Sequence, residues 1–111
     1  MAFDENLAER IRESLARRKN VVNKKMFGGL GFLLNGNMLV GVWKDSLIVR
    51  IGPSGYEEAL LEAHVREFDI TGRAMKGWLV VEPEGVEEDE QLNEWLARAL
   101  AFVEQLPTKR K

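Results

Sequence analysis

Residues 26–43 read MFGGLGFLLNGNMLVGVW, eighteen positions without a charged side chain, with five glycines and Asn35-Gly36-Asn37 near the centre. As a single helix the run is almost long enough to span a bilayer, and its interior decides against that. An Asn-Gly step between two apolar runs is the strongest short-range hairpin signal, because both central residues of a type I′ turn need φ > 0. A turn at that depth would leave backbone polar groups unpaired in lipid. The stretch therefore predicts two antiparallel strands of a soluble protein, Leu30–Leu34 and Met38–Trp43.

The strand pattern continues on both sides. Val21–Phe27 precedes it across Gly28-Gly29, and Leu47–Ile51 follows it across Lys44-Asp45-Ser46. Links this short allow only antiparallel neighbours, so the four strands form a meander. Upstream, Asp4 can cap a helix striped by Leu7, Ile11 and Leu15, with Asn20 as a stop. Downstream, Gly52-Pro53-Ser54-Gly55 opens a second helix with Tyr56, Ala59, Leu60 and Ala63 inward. There Ser54 and Glu57 fit a capping box, or Pro53 is the first helical residue behind Gly52. Gly77–Glu82 predicts a fifth strand, and a short one fits near Glu67–Ile70. Leu92, Trp95, Leu96, Ala99, Phe102, Val103 and Leu106 stripe a last helix that Pro107 ends. The expected fold is α+β: an antiparallel meander sheet with three helices, in the order α-β-β-β-β-α-β-α. Residues 1–107 make one domain and 108–111 a basic tail.

Alternation along these strands is poor. Leu33, Leu39, Trp43 and Ile48 lie opposite the apolar residues that define each inner face. A sheet with one wet face should be polar on that side. Either the helices wrap both faces, or the second face meets a partner or a second copy of the chain as a homodimer through the sheet.

Composition narrows the chemistry. With no Cys and one His in 111 residues, disulfides, thiolate zinc sites and His-pair metal centres are excluded. Sixteen basic and eighteen acidic residues give a net charge of −2, which argues against direct nucleic-acid binding and gives no pull toward anionic membranes. The charge is uneven, however. Residues 1–56 hold nine basic against five acidic side chains, and residues 57–111 hold seven against thirteen. The first twenty residues mix acids with arginines and hold no apolar export segment, so the expected location is cytoplasmic.

Gly28-Gly29-Leu30-Gly31 lies between strands and lacks a phosphate-loop ending, so its glycines read as turn or bulge positions. Arg17, Arg18, Lys19, Lys24 and Lys25 place five cations in nine residues without an acid; Arg50, Arg73 and Lys76 add three more. No helix-turn-helix, zinc-finger, RNP or KH pattern accompanies them. The acids from Glu82 to Glu90 suit a helix start. His64 has no Cys or second His beside it, and Ser14, Ser46 and Ser54 have no His in a recognisable arrangement. Trp43, Trp78 and Trp95 read as core first and partner anchors second. No catalytic pair, metal site or cofactor motif stands out, which turns the balance from catalysis toward binding.

Several strings share their order with a known family. Lys25-Met26-Phe27-Gly28-Gly29 is followed by Phe32 and Asn35-Gly36-Asn37-Met38. Then come Val49-Arg50-Ile51-Gly52-Pro53 with Tyr56, and Gly72-Arg73-Ala74-Met75-Lys76-Gly77-Trp78. Together they resemble the TfoX/Sxy N-terminal-domain family over about Asp4 to Leu106. The resemblance implies a secretion-chaperone-like sheet-and-helix fold. It also implies kinship with bacterial regulators of competence genes that assist a DNA-bound activator through protein contacts, the 111 residues matching their N-terminal half. It brings no catalytic residues and no cofactor. Lys24, Lys25, Arg50, Arg73 and Lys76 are the candidate partner- or anion-binding surface. The alternative reading is a small enzyme or ligand-binding domain that holds an anionic small molecule through Arg50, Arg73 and Lys76.

Overall fold

In the computed structural model, which describes residues 3–26, 28–69, 72 and 75–108, the turn at Asn35-Gly36 is where the sequence places it. Asn35 and Gly36 take φ of 54° and 83°, and Leu34 pairs with Asn37 across them. Four strands make the meander: β1 (Val21–Met26), β2 (Gly29–Leu34), β3 (Asn37–Trp43) and β4 (Ser46–Arg50). After a one-turn helix α2 (Tyr56–Ala59) come β5 (Val65–Glu67) and β6 (Trp78–Val81), then a 3-10 turn over Pro83–Gly85. Helices α1 (Glu5–Ser14) and α3 (Asp89–Val103) bracket the chain. The sheet has six strands in the order β1-β2-β3-β4-β6-β5, every neighbouring pair antiparallel.

Both long helices carry the expected start signals. The Asp4 carboxylate accepts the N–H groups of Asn6 and Leu7 at 2.9 and 3.2 Å. Glu88 and Gln91 form a capping box on α3. Leu7, Ala8 and Ile11 of α1 and Leu92, Trp95, Leu96, Ala99 and Val103 of α3 are buried on one face of the sheet. Phe32, Val42, Leu47, Val49, Leu79 and Val81 meet them from the strands. Each such side chain contributes roughly 1.5–3 kcal/mol when fully removed from water.

The broken alternation has two physical causes. First, the β2–β3 register shifts between Phe32/Val40 and Leu33/Met38, so Leu39 is an extra residue in β3. This bulge lets consecutive Leu39 and Val40 both bury completely in the helix-side core. Second, the middle of the other face is closed by aromatic side chains rather than by a helix. Ile48 and Val80 are fully buried there beneath Phe68, with Trp43 and Trp78 packed beside them. Phe68 stacks on Trp78 with ring centroids 5.7 Å apart. At the other end of that face the Met26 thioether lies over Gly31. Val22 stays 58% exposed on the same face.

Three sequence expectations change. The short strand sits at Val65–Glu67 rather than Glu67–Ile70, because Val65 pairs with Val81 and brings its side chain to the helix-side core. Ile70 and Phe27 lie outside the described residues. The second helix is four residues long, and Ala63 is exposed rather than inward. Its N-cap is Gly55 at φ 80°, with no side-chain cap from Ser54. Among the described residues no helix is long and apolar enough to cross a membrane.

A β-branched residue at position 36 should cost about 1–2 kcal/mol, the penalty for a Cβ in the left-handed region. Gly36→Val should lower the urea midpoint accordingly, while Asn35→Gly stays close to the parent. Equal midpoints for parent and Gly36→Val would show that the turn does not constrain the hairpin.

Candidate functional site

β1 carries an asparagine and two lysines in six residues, and it stands at an edge. Its six residues are half-buried only at the two ends, Val21 and Met26. The register with β2 puts Val21, Asn23 and Lys25 on the helix side, opposite Leu34, Phe32 and Leu30. Val22, Lys24 and Met26 face the other way, so Lys24 and Lys25 bracket the edge from both faces.

Among the described residues, nothing pairs with the outer side of this edge. In an antiparallel ladder the residues of one strand turn their N–H and C=O groups alternately toward and away from the neighbour. Asn35 N–H donates to Asn20 C=O, which fixes the phase. Val22, Lys24 and Met26 therefore bond to β2, while Val21, Asn23 and Lys25 direct N–H and C=O outward. Beside them runs a groove of about 400 Å³ between α1 and β1. Exposed Ala16 and half-buried Val21 give it apolar surface with buried Leu15 and Phe32 behind them, and Glu9, Arg12, Glu13 and Arg18 line its polar rim.

Ion pairing sorts the cations. Arg10 bonds Asp89 at 3.1 Å, Arg12 bonds Glu9 at 2.9 Å and Arg18 bonds Glu104 at 3.1 Å. Arg66 bonds Glu82 at 3.3 Å. Arg98 reaches Glu62 at 2.7 Å and Glu94 at 3.3 Å, and the Glu62 hydrogen bond above all holds its pKa above the ordinary value. Lys24 and Lys25 form no ion pair among the described residues, nor do Arg17 and Lys19 in the exposed turn that leads into β1.

Arg50 has a different environment. It ends β4 half-buried, with its guanidinium 5.2 Å from the Trp78 ring and 5.6 Å from the Phe102 ring. Its Nη1 donates to the Met38 carbonyl at 3.3 Å. Burial pushes its pKa down, yet an arginine stays charged at neutral pH. Behind it, Ile51 and Gly52 both donate N–H to Gly77 C=O at 2.9 and 3.1 Å. Gly52 has φ 84°, and a Cβ there would run into the Phe102 ring. The strings Arg50-Ile51-Gly52 and Gly77-Trp78 thus meet as a packed clasp.

Lys76 is exposed near the same end, beside a shallow hollow with Pro53, Gly55, Glu57 and Glu58. Arg73 lies outside the described residues. Lys24 and Lys25 stand three strand spacings from β4, about 14 Å. The candidate cations therefore divide into an edge pair on β1 and a separate group at the β4–β6 end.

One grouping is invisible in the sequence. His64, exposed at φ 67°, comes within 4.8 Å of Glu82 and Glu84 by their nearest ligand atoms. The β5–β6 pairing makes this contact, and Glu82 N–H donates to His64 C=O at 2.8 Å. Glu82 is already engaged by Arg66, so the group reads as a charge cluster at the strand ends. Ser14 bonds Asn93 and Ser46 bonds Asp45, which takes both hydroxyls into local contacts. The open edge itself could have been read from the three consecutive polar residues Asn23, Lys24 and Lys25 inside Val21–Met26.

The family model of the TfoX N-terminal domain matches residues 13–103, most of the chain. No curated protein and no solved structure shows a significant match.

If Arg50 serves packing, Arg50→Ala should lower stability by about 1–2 kcal/mol, and Arg50→Met should recover part of it through the buried stem. Lys24→Ala and Lys25→Ala should stay within about 0.5 kcal/mol of the parent. Urea denaturation monitored by tryptophan fluorescence measures all four. An unchanged Arg50→Ala midpoint would free that guanidinium for a ligand.

Proposed function

The chain belongs to the TfoX N-terminal domain family, and from that premise we propose that it is a non-enzymatic regulatory domain acting through protein–protein contacts. The observation that carries this reading is the β1 edge, where lysines without acid partners among the described residues flank outward-facing backbone groups. An unpaired edge is normally a hazard that proteins blunt with lysine. Here the same lysines also give the edge a sign, so it discriminates between partners by charge. Family membership supports the finer reading that the domain serves as a transcription co-regulator in the cytoplasm of a bacterium.

Two other readings lose support. The case for a homodimer through the second face of the sheet rested on uncovered apolar residues, and Phe68, Trp43 and Trp78 of the same chain pack over Ile48 and Val80. An anion site built on Arg50, Arg73 and Lys76 would have to draw Arg50 out of its contacts with Trp78, Phe102 and Met38.

Affinity capture from a bacterial lysate, run with and without nuclease, tests the function. The expected result is a protein retained in near-stoichiometric amount after nuclease treatment. Recovery of nucleic acid alone, or of nothing above a matched inert domain, would overturn the reading.

A further inference from the structure

We infer that β1 takes up an extended acidic segment of a partner protein as a seventh strand, with one apolar side chain of that segment seated in the α1–β1 groove. This rests on the protein-contact reading above and specifies the partner's chemistry.

The register writes the pattern the partner must carry. An antiparallel strand laid along β1 would bond to the free groups of Val21, Asn23 and Lys25, continuing a sheet that is antiparallel throughout. The residue opposite Lys25 would point to the helix side and the residue opposite Lys24 to the other face, and each meets a cation. The residue opposite Asn23 would point to the helix side and drop toward exposed Ala16 and half-buried Val21 at the groove. The residue opposite Val22 would cover an apolar side chain that is 58% exposed. Read along the added strand, two adjacent acids precede an apolar residue, and a β-branched residue follows. Such alternation reads both faces of one edge strand, with main-chain bonds giving affinity and side chains giving selectivity.

The occupant is not a second copy. An antiparallel β1–β1′ ribbon centred on Asn23 would crowd Lys24 and Lys25 of both chains onto one short ladder, with no acid in β1 to offset them. Nor does a nucleic acid fit as well. It cannot use backbone donors and acceptors spaced for a strand.

The test uses the full 111-residue chain and the blocked peptide Thr-Glu-Asp-Leu-Val-Val-Thr, with a scrambled peptide, a version with Lys in place of both acids, and a duplex oligonucleotide as controls. Amide hydrogen exchange by NMR is the deciding measurement. At millimolar peptide, exchange at Val21, Asn23 and Lys25 should slow at least tenfold, while Val22 and Lys24 change little. Lys24→Glu/Lys25→Glu should weaken binding at least tenfold. Asn23→Pro, which removes an outward N–H and no β2 bond, should abolish the protection. Should Asn23→Pro not fold, the charge variant and the exchange pattern decide. Absence of protection at the three amides, equal effects from the Lys-containing peptide, or perturbation by the oligonucleotide alone would overturn the inference. A nuclease-resistant partner whose capture survives the charge reversal would do so too, while leaving the protein-contact function standing.

Discussion

The pairing of β2 with β3 is the constraint from which the rest of the molecule follows. Side chains alternate along a strand, so a slip of one residue would carry Leu30, Phe32 and Leu34 from the helix side to the opposite face. Two features hold the register. The two-residue turn at Asn35-Gly36 sets the end of the ladder, and the extra residue at Leu39 re-phases β3 partway along. The helices then dock on a face whose composition is already decided. The second face receives Gly31, Gly41, Ile48 and Val80 in one row across the sheet, narrow enough for Met26 at one end and Phe68 with its tryptophans at the other to close over it.

With the faces fixed, charge divides the work. Arg10 and Arg12 of α1, Arg98 of α3 and Arg18 in the turn after α1 are spent on acids; Arg10–Asp89 ties α1 to α3, and Arg98–Glu62 ties α3 to the loop after α2. The lysines of β1 are left to solvent. Arg50 belongs to neither group, because its charge lies along aromatic faces instead of against a carboxylate. A net charge near zero thus conceals two net-acidic helices and a sheet edge that keeps its positive sign.

Most of the fold was legible because its signals are local. The Asn-Gly turn, the Asp4 cap and the apolar stripe of α3 each act within a few residues, and each appears as read. The bulge was not legible, since one extra residue in β3 leaves no mark except an alternation that looks wrong. The four-residue length of α2 also escaped, because the positive φ that starts it at Gly55 competes with a plausible Ser54 cap. For the site, basic residues could be counted but not sorted. Lys24, Lys25 and Arg50 look alike in the sequence, and only the sheet order separates an exposed pair from a packed side chain. The meeting of His64 with Glu82 and Glu84 depends on β5 pairing with β6, a contact between strands eleven residues apart.

The two ends of the sheet are unequal. At one end stands β1, six residues long; at the other stands β5, with three residues and an ion pair from Arg66 across to Glu82. A sheet with two equally receptive ends can add copies without limit, each new strand exposing another edge like the last. Here the far end offers too short a ladder to be a second acceptor. The stoichiometry of any strand addition is therefore one per domain, and the polymerisation that threatens open sheets is blocked by geometry as well as by charge.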